Sequence, residues 1–192
     1  MIIITGGIGA GKSVVSRILR LLSFPVFDCD FEAKKIMVSS PEIKAFILNE
    51  IGTAIINGEG EIDRGKLREV IFNDVSKREG LNRIVHKEVR NAIARFMEQE
   101  GDECFVESAI PHTGNLLKQA TGIWIVEASE EERIRRVKMR SGLLEEEIKA
   151  IIKTQHIETE ACSNFGIPVK TIYNNARSDV MKEIFVCLEK KD

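Results

Sequence analysis

The 192-residue chain has no pair of cysteines close in sequence: Cys29, Cys104, Cys162 and Cys187 are scattered. Zinc ribbons and redox motifs need close pairs such as C-x-x-C, so neither is expected. Free thiols in a reducing compartment are the simple reading. Histidine is scarce too, with only His86, His112 and His156, and no close histidine or cysteine partner suggests a metal site. No apolar run approaches the ~20 residues that span a bilayer. The opening Met1-Ile2-Ile3-Ile4 has neither a basic n-region nor a small-residue cleavage site, so no secretory signal is expected. With 28 basic and 30 acidic side chains the formal charge is −2, without the basic excess of a general nucleic-acid binder. A cytoplasmic protein with no nucleic-acid or membrane partner is expected.

Hydrophobic residues make up 43% of the chain, enough for one well-filled core and few for two independent domains. Strand alternates with helix. Ile2-Ile3-Ile4-Thr5 is a β-branched run closed by glycines, as for a strand buried on both faces. From residue 12 the period changes, and Val14, Ile18 and Leu22 lie on one stripe with Val15 and Leu19 beside it. Further apolar runs at Phe24–Phe27, Cys104–Val106, Ile123–Val126 and Val169–Ile172 complete five strands with helical crossovers. The expected fold is three-layer α/β with a five-stranded parallel sheet. The core sheet is assigned to residues 1–30, 102–132 and 166–192, and a helical lobe suited to gripping a substrate to 31–101. In the lobe, Ser40-Pro41 starts one helix, Asn57-Gly58-Glu59-Gly60 turns, and Val89, Ile93, Phe96 and Met97 mark a later helix that His86 precedes.

Gly6-Gly7-Ile8-Gly9-Ala10-Gly11-Lys12-Ser13 matches G-x-x-x-x-G-K-[ST] at every fixed position, between a strand and a helix. Glycines let consecutive N–H groups curl around an anion, and the helix N-terminus adds its dipole. Gly7, Gly9, Ala10, Gly11, Lys12, Ser13 and Val14 are the candidate ATP-binding positions. Lys12 is placed on the β- and γ-phosphates as a catalytic cation, and Ser13 on Mg²⁺. A plain glycine-rich turn does not require Lys and Ser after its last glycine. Neither the D-x-x-G nor the N-K-x-D string of switch GTPases occurs, and size and the helical insertion favour a small-molecule kinase, so the α/β fold is expected to be that of a three-layer P-loop kinase.

Other candidates read two ways. Asp28 and Asp30 follow the second strand, where one carboxylate could deprotonate an acceptor hydroxyl, or both could cap a helix. Arg133, Arg136 and Arg140 fall at i, i+3 and i+7 on one helix face, suited to a transferring phosphoryl group or simply to the helix dipole behind Glu130-Glu131-Glu132. His86 reads as an ordinary helix-start residue or a lobe contact, and Asn174-Asn175 as a turn or a nucleotide contact.

In this order the segments resemble the dephospho-CoA kinase family over nearly the whole chain. The resemblance rests on Thr5–Ser13, Val26-Phe27-Asp28-Cys29-Asp30 with Ala33, Gly60-Glu61-Ile62-Asp63-Arg64 with Leu67-Arg68, and Ile71-Phe72. It continues through Leu81-Asn82-Arg83-Ile84-Val85-His86, then Arg136, Arg140, Gln155 and Ile172-Tyr173-Asn174-Asn175. It implies Mg²⁺-ATP as donor and the ribose 3′-hydroxyl of dephospho-CoA as acceptor. It implies Asp30 as general base, a mobile lid over residues 133–165 with Arg136 and Arg140 as lid arginines acting on ATP and the transferring group, and Asn175 near the base of ATP. Asp28, Asp30, His86 and Glu107 fall on the acceptor side, while Arg133 is left undecided. The chain departs from the family at Lys87, across Glu107–Thr113, and at Glu158 and Glu160. These departures keep open a P-loop kinase for another nucleotide-like acceptor, and an ATP-binding module without turnover.

Overall fold

A computed structural model describes residues 1–111, 116–163 and 166–189, and of residues 156–163 the backbone only. His112, Thr113 and the side chains of Glu158 and Glu160 lie outside the described residues. No described helix is long and apolar enough to cross a membrane.

Two compact units form, Met1–Asp28 with Phe96–Asp192, and Cys29–Arg95. The first holds the sheet, in the order β2-β3-β1-β4-β5 with every pair parallel. The strands are β1 (Ile2–Thr5), β2 (Val26–Asp28), β3 (Phe105–Glu107), β4 (Gly122–Glu127) and β5 (Val169–Tyr173). Its helices are α1 (Lys12–Leu21), α6 (Leu116–Gln119), α7 (Glu130–Ser141), α8 (Glu145–Ser163) and α9 (Val180–Glu189). Ile4, Val15, Leu19, Phe105, Trp124, Val126, Ile172 and Ile184 form one buried cluster, in which α1 and α9 cover the sheet. Full burial of a side chain such as Leu19 contributes roughly 1.5–3 kcal/mol, so this cluster fixes where β1 ends and α1 begins. The sheet borne out here is the one the apolar runs predict, with ends shifted by a residue or two.

A smaller cluster, Val137, Ile148 and Ile152, joins α7 to α8, and Ile8, Ile134 and Leu143 pack against it. Ser129 caps α7 by accepting from the Glu132 N–H at 3.3 Å, and Gly142 ends it in the left-handed region.

The second unit contains α2 (Cys29–Ser39), α3 (Pro41–Phe46) continuing as a π-helical turn Ile47–Ile51, a 3-10 turn at Thr53–Ile55, α4 (Arg64–Asn73) and most of α5 (Val75–Glu100). Ser40 caps α3 with Pro41 in its first turn, as its sequence predicts. Asn57 Oδ1 closes the predicted turn by accepting from Glu59 N and Glu61 N at 3.0 and 2.9 Å. Ile43, Ile47, Ile55, Leu67, Leu81 and Val85 are the core of this unit.

One expectation for this region is corrected. His86 does not precede a helix; it sits midway along the 26-residue α5. Gly80, which looks like a breaker, is accommodated because a Cβ there would stand 2.7 Å from Phe46 Cζ, so the missing side chain lets α5 pack close.

Candidate active site

In open parallel sheets, ligands bind beyond the carboxyl ends of the strands, where the chain's crossings change direction. Here the connection from β1 leads to β2 on one side, and the one from β3 leads to β4 on the other. The segment Gly6–Gly11 leaves β1 at that point and feeds α1.

The residue that starts α1 is Gly11, at φ 98° and ψ 32°, and it provides no side-chain cap. A Cβ there would lie 2.0 Å from Asn174 Nδ2, so glycine is required by backbone and space together. The first N–H groups of α1 thus keep their capacity for an anion. The carbonyls of the loop are held instead. Arg136 donates to Gly9 O and Ala10 O, both at 3.3 Å, and to Asn174 O at 2.8 Å. Asn174, buried just beyond β5, donates from Nδ2 to Ala10 O at 2.9 Å. Arg133 Nε donates to Ile8 O at 2.9 Å, and Gln155 Oε1 accepts from Ile8 N at 2.5 Å. Of the loop's N–H groups, those of Ile8 and Ala10 are bonded to Gln155 Oε1 and Gly7 O, which leaves the uncapped start of α1 as the place for an anion.

Lys12 Nζ donates to Gly6 O at 2.7 Å and Gly7 O at 3.5 Å, so the ammonium is held within the loop. Ser13 is exposed, and its hydroxyl makes no hydrogen bond among the described residues. Among the described residues no group of three or more His, Cys, Asp or Glu is placed to hold a metal ion. Magnesium asks for less. It keeps several waters and takes one or two protein oxygens beside phosphate oxygens, so the open Ser13 hydroxyl fits that ion.

At the ends of β2 and β3, Asp28 and Glu107 are register partners, with two carboxylates side by side. Glu107 is 9% exposed. Burial pushes its carboxyl above the ordinary 4.5; Asp28 adds to the rise, and Ser16, Lys12 and Arg20 oppose it. Ser16 is near enough to oppose the shift without reaching hydrogen-bond geometry. Both Ser16 Oγ and Glu107 Oε2 are therefore buried with no partner among the described residues.

This arrangement has a consequence for stability. Because the folded chain binds the Glu107 proton more tightly than the unfolded chain, ionisation costs stability. That cost is absent below the unfolded value near 4.5 and fully present above the raised folded value. Glu107→Gln is expected to raise Tm at neutral pH, with the gain shrinking to nothing as pH falls below 4.5. Tm measured across pH for both proteins checks this; a difference that is constant with pH refutes it.

Arg133, Arg136 and Arg140 of α7 do not share one environment, although they share one helix face. Arg133 and Arg136 engage the loop, whereas Arg140 is exposed and makes no hydrogen bond or ion pair among the described residues. Seven residues carry Arg140 about 10 Å further along the helix axis, beyond the loop. Asn175 Oδ1 accepts from the N–H of Ser129, the residue that caps α7, at 2.7 Å. Its neighbour Asn174 is the residue in contact with the loop, and the turn-like Asn-Asn pair did not distinguish them. Asp30 lies in the first turn of α2, and His86 on α5, both in the second unit. Burial, and then Arg90, push the His86 imidazole below its ordinary 6.5, which favours the neutral ring.

A family model for dephospho-CoA kinase matches residues 1–173. The dephospho-CoA kinase of Dehalococcoides mccartyi is 30% identical over 192 residues, covering 98% of this chain and 95% of that protein. That of Bacillus cereus is 35% identical over 156 residues, covering 79% and 78%. A crystal structure of a Thermus thermophilus protein, 29% identical, superposes with a TM-score of 0.77 over 100% of this chain and 97% of its own. The sheet, the phosphate loop and every described helix except α9 fall within residues 1–173, and the chain belongs to the dephospho-CoA kinase family, ATP-using phosphotransferases that act on a hydroxyl group.

Proposed function

We propose that this chain transfers the γ-phosphoryl group of ATP to the ribose 3′-hydroxyl of dephospho-CoA, the last step of coenzyme A biosynthesis. The observation that carries the reading is the loop Gly6–Ser13, with its carbonyls tied back by Arg136 and Asn174 and the start of α1 left uncapped. The backbone of Gly7, Gly9, Ala10, Gly11, Lys12, Ser13 and Val14 binds the phosphates. The Ser13 hydroxyl would hold Mg²⁺, which when bound would neutralise phosphate charge. Lys12 stabilises the charge that develops on the same phosphates. The helical lobe, residues 31–101, supplies the acceptor contacts, with Asp30 as the base that takes the hydroxyl proton and neutral His86 as a hydrogen-bonding group. Asp28 and Glu107 face the acceptor at the sheet edge, Asn175 lies toward the ATP base, and residues 133–165 act as the lid. The scattered thiols suit the reducing cytoplasm.

ADP release coupled to dephospho-CoA tests the reading directly. Acceptor-dependent turnover supports it, turnover only with another nucleotide-like acceptor replaces it, and ATP binding without turnover leaves a binding module.

Two arginine variants separate scaffold from chemistry. Arg136→Ala loses its bonds to Gly9 O, Ala10 O and Asn174 O. It is expected to cost about 1–3 kcal/mol of stability and to weaken ATP binding as well. Exposed Arg140 has no such bonds, so Arg140→Ala is expected to leave Tm unchanged and lower kcat by about tenfold or more. Thermal melts and kcat/KM for both variants decide; an unchanged kcat for Arg140→Ala removes it from the reaction.

A further inference from the structure

We infer that Arg133 is a positioning residue for ATP, holding the phosphate loop by its carbonyl side and placing a positive charge against it. The inference rests on the reading of this loop as the ATP site. Arg133 sits in the first turn of α7, and its side chain crosses onto the loop, where Nε donates to Ile8 O at 2.9 Å. The rest of the guanidinium occupies the space that a side chain on Gly7 would fill, since a Cβ built there would be 2.0 Å from NH2 and 2.8 Å from Cζ. The backbone of the same residue lies against Gly9, whose Cβ would be 2.7 Å from Arg133 O. Ile8 is thereby fixed three ways: its carbonyl by Arg133, its N–H by Gln155, and its side chain in the small core of α7 and α8.

Arg133 NH2 is buried and has no hydrogen-bond partner among the described residues. A partly desolvated cation with an unused buried donor is costly by itself. Glu127 and Glu130 compensate part of that charge, while burial pulls the guanidinium below its ordinary range. Placed against a loop whose N–H groups can receive a polyphosphate, the same charge becomes favourable once the anion is bound. In low-dielectric surroundings such an attraction reaches through the loop without direct contact. Arg133 therefore acts on affinity for the phosphates and has little part in the transfer itself.

Three substitutions separate the hydrogen bond from the charge. In Arg133→Gln the amide nitrogen falls at the chain position of Nε, so the bond to Ile8 O can persist while the charge is lost. Arg133→Met loses both, and Arg133→Lys keeps the charge. ATP affinity is measured by calorimetry without acceptor, followed by kcat and KM for ATP and the Tm of each ligand-free protein. Arg133→Gln and Arg133→Met are expected to raise Kd and KM for ATP by about tenfold, with Arg133→Lys within about threefold of wild type. The kcat at saturating ATP changes less than about threefold in all three, the pattern of lost uniform binding. Wild-type ATP affinity in Arg133→Gln, or an Arg133→Lys as weak as Arg133→Met, overturns the inference. So does a fall in ligand-free Tm that parallels the affinity loss, which would make the residue structural. A wild-type protein that binds no ATP overturns the loop reading along with this one.

Discussion

Lys12→Ala is expected to lower kcat by about 10²–10³-fold or more while the protein stays folded. The magnitude follows from the role proposed for the ammonium. Charge moves onto the β–γ bridging oxygen and the β-phosphate as the γ-group leaves, and a preorganised cation there stabilises the transition state more than the ground state. The loop already holds this cation, with Nζ 2.7 Å from Gly6 O. Its removal sacrifices hydrogen bonds to loop carbonyls, worth about 1 kcal/mol net for a typical bond. That corresponds to a few degrees of Tm for a chain of this size, roughly 2–4 °C per kcal/mol. The core beneath β1 and α1, built on Ile4, Val15, Leu19 and Trp124, is untouched. Lys12→Arg is expected to fail almost as badly, because a planar fork cannot occupy the place of a compact ammonium among the loop's carbonyls. Melting curves and single-turnover rates on the two variants check both statements. Near-native turnover in Lys12→Ala would remove the loop from catalysis altogether.

Much of this architecture was legible because parallel strands buried on both faces announce themselves as short β-branched runs. Ile2–Ile4 and Ile123–Val126 are visible for that reason, and their pairing in register, Ile3 with Ile123 and Ile4 with Trp124, follows from the fold. Strand ends were less legible. Strands β2 and β3 close on Asp28 and Glu107, each one residue beyond its apolar run, because the carboxyl edge of the sheet is where polar groups collect. The phosphate loop was fully legible, since its chemistry fixes residue types at contiguous positions. What holds the loop was not. Asn174 and Ala10 are 164 residues apart, and no local pattern brings them together. Helical periodicity placed Arg133, Arg136 and Arg140 on one face, but only the docking of α7 on the loop separates the two that grip it from the one that does not. His86 shows the opposite failure. The apolar spacing of Val89, Ile93, Phe96 and Met97 placed the helix after it, whereas α5 begins at Val75 and runs through Gly80, whose missing Cβ leaves room for Phe46.

Asp30→Asn is expected to lower acceptor phosphorylation at least about a hundredfold, with ATP affinity and Tm close to wild type. A ribose hydroxyl is a poor nucleophile at neutral pH, and a carboxylate can take its proton as the new O–P bond forms. An amide of the same shape can hydrogen-bond but cannot be that base, and general-base help is typically worth about 10²–10⁴ in rate. The structural cost is small by comparison. Asp30 is exposed in the first turn of α2, where a negative charge near the helix N-terminus is worth about 0.3–1 kcal/mol. Rate and stability therefore separate by a wide margin if Asp30 is the base, and they do not if it merely serves the helix. The kcat with dephospho-CoA, the Kd for ATP and the Tm, all taken on one purified variant, decide between the two. Retained turnover with a lowered Tm would make Asp30 a helix residue. The base would then be sought first at Asp28, the terminal residue of β2, and then at its register partner Glu107. The raised carboxyl of Glu107 gives that last alternative its own signature. A base held protonated by burial, and freed only as pH rises, would shift the acid limb of the kcat profile upward, and Glu107→Gln would abolish the limb.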